Sequence, residues 1–231
     1  MKTSKFQKLL GMTALVLSGS LSAAPLVLLG SADNNNAGVT ALATAATGDL
    51  YVRFDLGFTG TVSSNDFAAL WFDNVATGDH TNRANFGLKA NSGPSSSPGS
   101  DYFARTSGTG GVFDTTPSFQ VANGSSVNLF AHLYKTGSST NYDRLDLWIG
   151  STLSSLDLLS TAADVSASGN TGISSVSYLG FRNANLSAFN STDQVTISNF
   201  SVTSAVPEPS TWALMAMSLM GMAVVMRRRK S

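Results

Sequence analysis

The strongest constraint on this chain is a period of two. Between residues 50 and 58, Val52, Phe54, Leu56 and Phe58 alternate with Tyr51, Arg53 and Asp55. Only an extended strand sends successive side chains to opposite sides, so this segment reads as a strand with one buried face. The pattern returns at 127–135, where Val127, Leu129, Ala131 and Leu133 alternate with Asn128, Phe130, His132 and Tyr134. At 144–149 it returns again, with Leu145, Leu147 and Ile149 inward and Arg144, Asp146 and Trp148 outward. Residues 67–72 are continuously apolar, as befits a strand covered on both faces. Shorter strands are expected at 85–90, 102–105, 118–121, 174–182 and 194–202, with a hairpin signal at Asn123-Gly124. Residues 153–159 read equally as strand or helical turn.

No stretch before Thr211 keeps a 3.6-residue period over three turns. Many short strands without helices make an all-β class, a two-sheet antiparallel β-sandwich over residues 49–205. Residues 25–48 lack a sustained period and read as a low-complexity linker, with one weak strand at 39–42.

Both ends carry transport signals. Residues 1–24 have the build of a secretory signal peptide: Lys2, Lys5 and Lys8, an apolar run at 9–21, then small residues ending at Ala24. Signal peptidase and the general secretion machinery are the partners this implies; an uncleaved N-terminal anchor is the other reading. Residues 206–231 hold Pro207-Glu208-Pro209, an apolar stretch, and the basic run Arg227, Arg228, Arg229 and Lys230. As a helix, residues 209–226 would cover about 27 Å, nearly the ~30 Å hydrocarbon core. A basic flank stays on the cytoplasmic side, so the transmembrane helix leaves the preceding body outside. A buried core helix with a solvated basic end is the alternative.

The chain's formal charge of zero hides an asymmetry. Residues 25–206 hold seven basic side chains against thirteen acidic ones, all Asp, which leaves −6. Such a surface excludes nucleic acid as a partner, since phosphates demand a basic face. With no cysteine, disulfides and thiol chemistry are excluded too.

The tail, from Val206-Pro207-Glu208-Pro209 to the terminal basic cluster, resembles the PEP-CTERM sorting signal of Gram-negative bacteria. The resemblance implies an exosortase as partner, a membrane transpeptidase-like enzyme, and a cut near Pro-Glu-Pro that removes the helix. The inner membrane would then be a transient partner, and the product would go to the cell surface or an exopolysaccharide matrix. More loosely, Ala69-Leu70-Trp71-Phe72-Asp73, Asn85-Phe86-Gly87-Leu88-Lys89, Arg144-Leu145-Asp146-Leu147-Trp148 and Ser177-Tyr178-Leu179-Gly180-Phe181-Arg182 resemble concanavalin-like jelly-roll domains of bacterial surface proteins. Many of those bind carbohydrate, but fold alone does not decide function.

Glucan-cleaving jelly rolls use a Glu-x-Asp-x-x-Glu strand, and retaining hydrolysis needs two carboxylates about 5 Å apart. The exported part has no glutamate, so the reading is that it is no enzyme, with glycoside hydrolysis a remote alternative. There is no Gly-x-Ser-x-Gly elbow, and only His80 and His132 could act as histidine bases. Two histidines without cysteine make a poor zinc set. Calcium is the one cofactor the residues allow, on Asp73, Asn74 and Asp79, with Asp114 as a further donor. The same residue types form turns with no ion. For carbohydrate, Trp148, Tyr134, His132, Arg144 and Asp146, with Phe130, would share one face of two neighbouring strands. Rings flanked by charged and amide groups suit sugar rings and hydroxyls, yet the same face could pack against the second sheet. The expectation is an exported, exosortase-processed surface or matrix protein, structural and exopolysaccharide-associated. The alternative is a carbohydrate-binding module.

Overall fold

The computed structural model describes residues 24–30, 32–63, 66–90, 101–108, 110–114, 120–150, 161–186 and 193–204. They form twelve strands: β1 (Leu26–Leu29), β2 (Asn34–Ala46), β3 (Leu50–Thr59), β4 (Phe67–Asp73), β5 (Asn85–Lys89), β6 (Tyr102–Arg105), β7 (Val112–Phe113), β8 (Ser126–Tyr134), β9 (Arg144–Ile149), β10 (Val165–Ser168), β11 (Val176–Ala184) and β12 (Gln194–Ser204). The strands make two six-stranded antiparallel sheets, ordered β1-β12-β3-β8-β9-β10 and β2-β11-β4-β5-β6-β7. Among the described residues no helix is long and apolar enough to cross a membrane. The expected helix at 209–226 and the signal peptide's first 23 residues lie outside them.

The period-two segments become the inner faces of the first sheet. Val52, Phe54, Leu56 and Phe58 of β3, Leu129, Ala131 and Leu133 of β8, and Leu145, Leu147 and Ile149 of β9 are all buried. They meet Ala68, Leu70 and Phe72 of β4, Phe86 and Leu88 of β5 and Leu179 and Phe181 of β11 in one core. Each fully buried side chain of this size contributes about 1.5–3 kcal/mol before conformational entropy is charged against it. Phe54 anchors the centre, with Phe86 and Phe181 each 5.4 Å away between ring centroids. Tyr142, on the loop between β8 and β9, reaches the turn before β3, its hydroxyl 2.7 Å from the Gly48 carbonyl.

β4 is buried on both faces, as its unbroken apolar run predicts. On its outer side Phe67 and Ala69 pack with Phe103 of β6. Trp71 lies flat against the His80 ring and donates from Nε1 to the Asn35 carbonyl, 2.8 Å away. Gly180 of β11 pairs with Trp71, and the indole occupies the space a Cβ would need.

Three expectations change. Residues 25–48 are no linker, because Leu26–Leu29 and Asn34–Ala46 are edge strands. β2 follows β11 through three register shifts, so backbone pairing rather than side-chain alternation holds it. Residues 120 and 121 of the expected strand at 118–121 are not strand, and the rest lies outside the described residues. Asn123-Gly124 does turn, with Gly124 at φ +76°, but it passes the chain from β7 in one sheet to β8 in the other instead of closing a hairpin. Residues 153–159 also lie outside the description.

Candidate functional site

The outer face of the first sheet gathers the polar and aromatic residues that alternation sends away from the core. In register across β3, β8, β9 and β10 lie Tyr51, His132, Asp146 and Ser166. The neighbouring row holds Arg53, Phe130 and Trp148, and a third holds Tyr134, Arg144 and Ser168. All five residues proposed from sequence for carbohydrate therefore stand on one face, with Tyr51 added from β3.

Their exposures differ. Trp148 is 5 % exposed, set edge-on against Phe130, and its Nε1–H donates to the Thr161 carbonyl at 3.2 Å. With Phe130 it makes a covered floor, against which the partly buried Tyr51 and Ala163 pack, not the open stacking platform its outward register predicts. The accessible rings are Tyr51 and Tyr134, both half-buried. His132 lies between them, 4.4 Å from Tyr51 and 4.3 Å from Tyr134 by ring centroids, nearly parallel to both. Each Tyr therefore keeps one ring face turned away from the histidine.

Polar groups surround the three rings. The Tyr134 hydroxyl donates to Asp146 Oδ2 at 2.9 Å, and the Ser166 hydroxyl donates to Asp146 Oδ1 at 2.6 Å. Arg144 turns to the Asp143 carbonyl instead of pairing with Asp146. Asp49 Oδ2 stands 3.6 Å from His132 Nε2, which has no hydrogen bond. Burial holds His132 below the ordinary imidazole range, against the pull of Asp49 and Asp146. Burial, and then the Asp146 bond, push the Tyr134 phenol up to about 12, and burial with Asp49 raises Tyr51. At neutral pH the three rings are uncharged. Two phenols and a neutral imidazole beside carboxylates can exchange hydrogen bonds with hydroxyls, and they are also of the general acid and base types.

The outer face of the second sheet holds a different, closed network. Asp73 is fully buried; it accepts from Asn74 N at 2.7 Å, from His80 Nδ1 at 2.9 Å and from Arg83 Nε at 2.7 Å. Asp79 caps its own turn by accepting from Thr81 N, and Asp114 follows β7, three strands from β4. Of the calcium donors expected from sequence, Asp114 therefore stands apart from Asp73, Asn74 and Asp79. Asp73 is spent on a guanidinium and an imidazole, and no three metal-ligating side chains meet among the described residues. His80, one of the two histidines that could act as bases, is fully buried.

Tyr51 escaped the sequence reading. Its outward position was legible from alternation, but not that β3 would lie beside β8.

Against known proteins, residues 205–230 match the model of the PEP-CTERM protein-sorting motif. The chain carries that motif, which implies an exported, membrane-anchored precursor processed by exosortase at the cell envelope. No curated protein matches in sequence. Among solved structures, alginate lyase Aly36B is similar at 12 % identity and TM-score 0.45, covering 78 % of this chain and 79 % of the lyase. A variant of it with an alginate tetrasaccharide gives 10 % and 0.47, covering 78 % and 80 %. A PL-14 alginate lyase from Aplysia kurodai gives 11 % and 0.37, covering 70 % and 72 %. The expectation that the body is no enzyme does not stand: the similar solved structures are named alginate lyases, a likeness that gives this chain no activity of its own but leaves no ground for denying it one. The missing glutamates remove the paired-carboxylate hydrolysis of one jelly-roll family and no other chemistry.

Proposed function

We propose that this protein is delivered to the cell surface or extracellular matrix and there engages a polysaccharide through the outer face of its first sheet. The observation that carries the reading is the row Tyr51, His132 and Tyr134. Two half-buried phenol rings each turn one face away from His132, with Asp49, Asp146 and Ser166 beside them. A sugar ring presents apolar C–H groups on its faces and hydroxyls at its rim, so such a row meets both. The sorting motif supports the location, since it implies export of the body to the cell envelope. The exported part's charge of −6 favours hydroxyl-rich chains over strongly anionic ones.

Affinity electrophoresis of the processed protein in gels containing matrix polysaccharide tests this, with alginate as the anionic comparison. Replacing Tyr51 and Tyr134 by Ala should weaken binding at least about tenfold, or roughly 1.4 kcal/mol. Retardation unchanged in that variant would remove this face. The same samples report cleavage through polymer length. Shortening lost in His132→Ala would add catalysis to this face, and shortening that persists would place it elsewhere.

A further inference from the structure

β12 ends at Ser204 and the sorting motif begins at residue 205. Pro207 is three residues past Ser204, at most about 10 Å along the chain. An enzyme that takes a peptide in extended form pairs with its main chain over several residues, which a strand already paired in a sheet cannot offer. A chain still paired into a sandwich offers almost nothing on one side.

β12 itself is built in two unequal parts. Residues 194–197 are flanked by β1 on one edge and β3 on the other, and Val195 and Ile197 are buried in the core. Next come Asn199 at φ +52°, a conformation uncommon for a side-chain-bearing residue, and a shift of register between Ser198 and Ser201. Beyond that bulge, Ser201–Ser204 pair with β3 alone, because β1's pairing stops at Leu26 opposite Ile197. No side chain from residue 199 to 204 is fully buried. Opening this segment gives up two partly buried side chains, Phe200 against Phe181 and Val202 against the core, while the doubly flanked half of β12 stays in place, so it costs only part of the global unfolding free energy.

We infer that the terminal half of β12, hinged at the bulge beside Asn199, peels from β3 to give exosortase an extended substrate. The inference rests on the exosortase processing implied by the motif and is independent of the polysaccharide reading. Release back to Ser198 lengthens the reach to Pro207 from three residues to nine, about 30 Å. The buried half of β12, held on both edges, keeps the sandwich closed meanwhile.

The test uses the full-length precursor in cells producing exosortase. The chain has no cysteine of its own, so a single engineered pair is unambiguous. Val52→Cys with Val202→Cys joins the terminal half to β3, at positions that face each other. Gly57→Cys with Thr196→Cys joins the other half, where a Cβ on Gly57 would lie 3.9 Å from that of Thr196. Oxidised V52C/V202C precursor should be processed at least tenfold more slowly than wild type. Reduction, or a Gly-Ser spacer of about eight residues after Ser204, should restore the rate. The G57C/T196C precursor should match wild type whether oxidised or reduced. Wild-type processing of oxidised V52C/V202C, or no rescue by the spacer, overturns the inference. Alanine in place of Pro207, Glu208 and Pro209 tests the premise separately: that precursor should stay unprocessed, and its processing would show that another enzyme makes the cut.

Discussion

At the scale of single residues, His132 links the candidate face to pH. Its folded-state pKa is lowered from 6.5 by burial, so the folded protein resists a proton that the unfolded chain accepts. Stability from this group is present above pH 6.5 and is lost as pH falls through that value toward the lower folded pKa. Urea unfolding of wild type should therefore weaken from pH 7 to pH 5 more steeply than that of His132→Gln. Parallel slopes would mean that His132 is as free to charge as in the unfolded chain. Asp73 shows the opposite use of a buried charge. Its carboxylate meets Arg83 and His80 through Oδ2 and the Asn74 N–H through Oδ1, so it serves the fold of the loop after β4. From sequence, Asp73 looked like any turn aspartate, because burial and the partner ten residues on leave no local mark.

At the scale of elements, legibility follows how each strand is held. β3, β8 and β9 are held by one buried face, and alternation showed their bounds and their inward residues. β4 is held from both sides, and its continuous apolar run showed that as well. β2 is held by backbone pairing at an edge, and its Asn, Ala and Thr residues give no periodic signal. Trp148 faced outward as read, but its cover at Thr161 and Ala163 comes from chain that follows β9, which alternation does not see. β11 meets β4 through a fit that sequence also hides: the Trp71 indole fills the place of a missing side chain at Gly180. Gly180→Ala should push the indole off His80 and destabilise the protein by about 1–3 kcal/mol. Denaturant midpoints and Trp emission check this, and an unchanged midpoint would mean that the ring moves freely.

At the scale of the whole molecule, the two ends of the exported chain close the same sheet. β1 begins at Leu26, just after the expected signal-peptide cut, and pairs with β12, which ends at the sorting motif. The sorting motif and the expected signal-peptide cut thus flank the pairing of β1 with β12, while the candidate face sits on β3, β8 and β9 of that sheet. The sorting motif was legible because it is a local run of charge and apolarity. Ligand chemistry was not, because it depends on which strands become neighbours. The most direct measurement is an NMR titration of the processed protein with polysaccharide from its own matrix. The account predicts shifts confined to Tyr51, His132, Tyr134, Asp146 and Ser166. Shifts clustered on the outer face of the second sheet, or none at saturating polysaccharide, would contradict it.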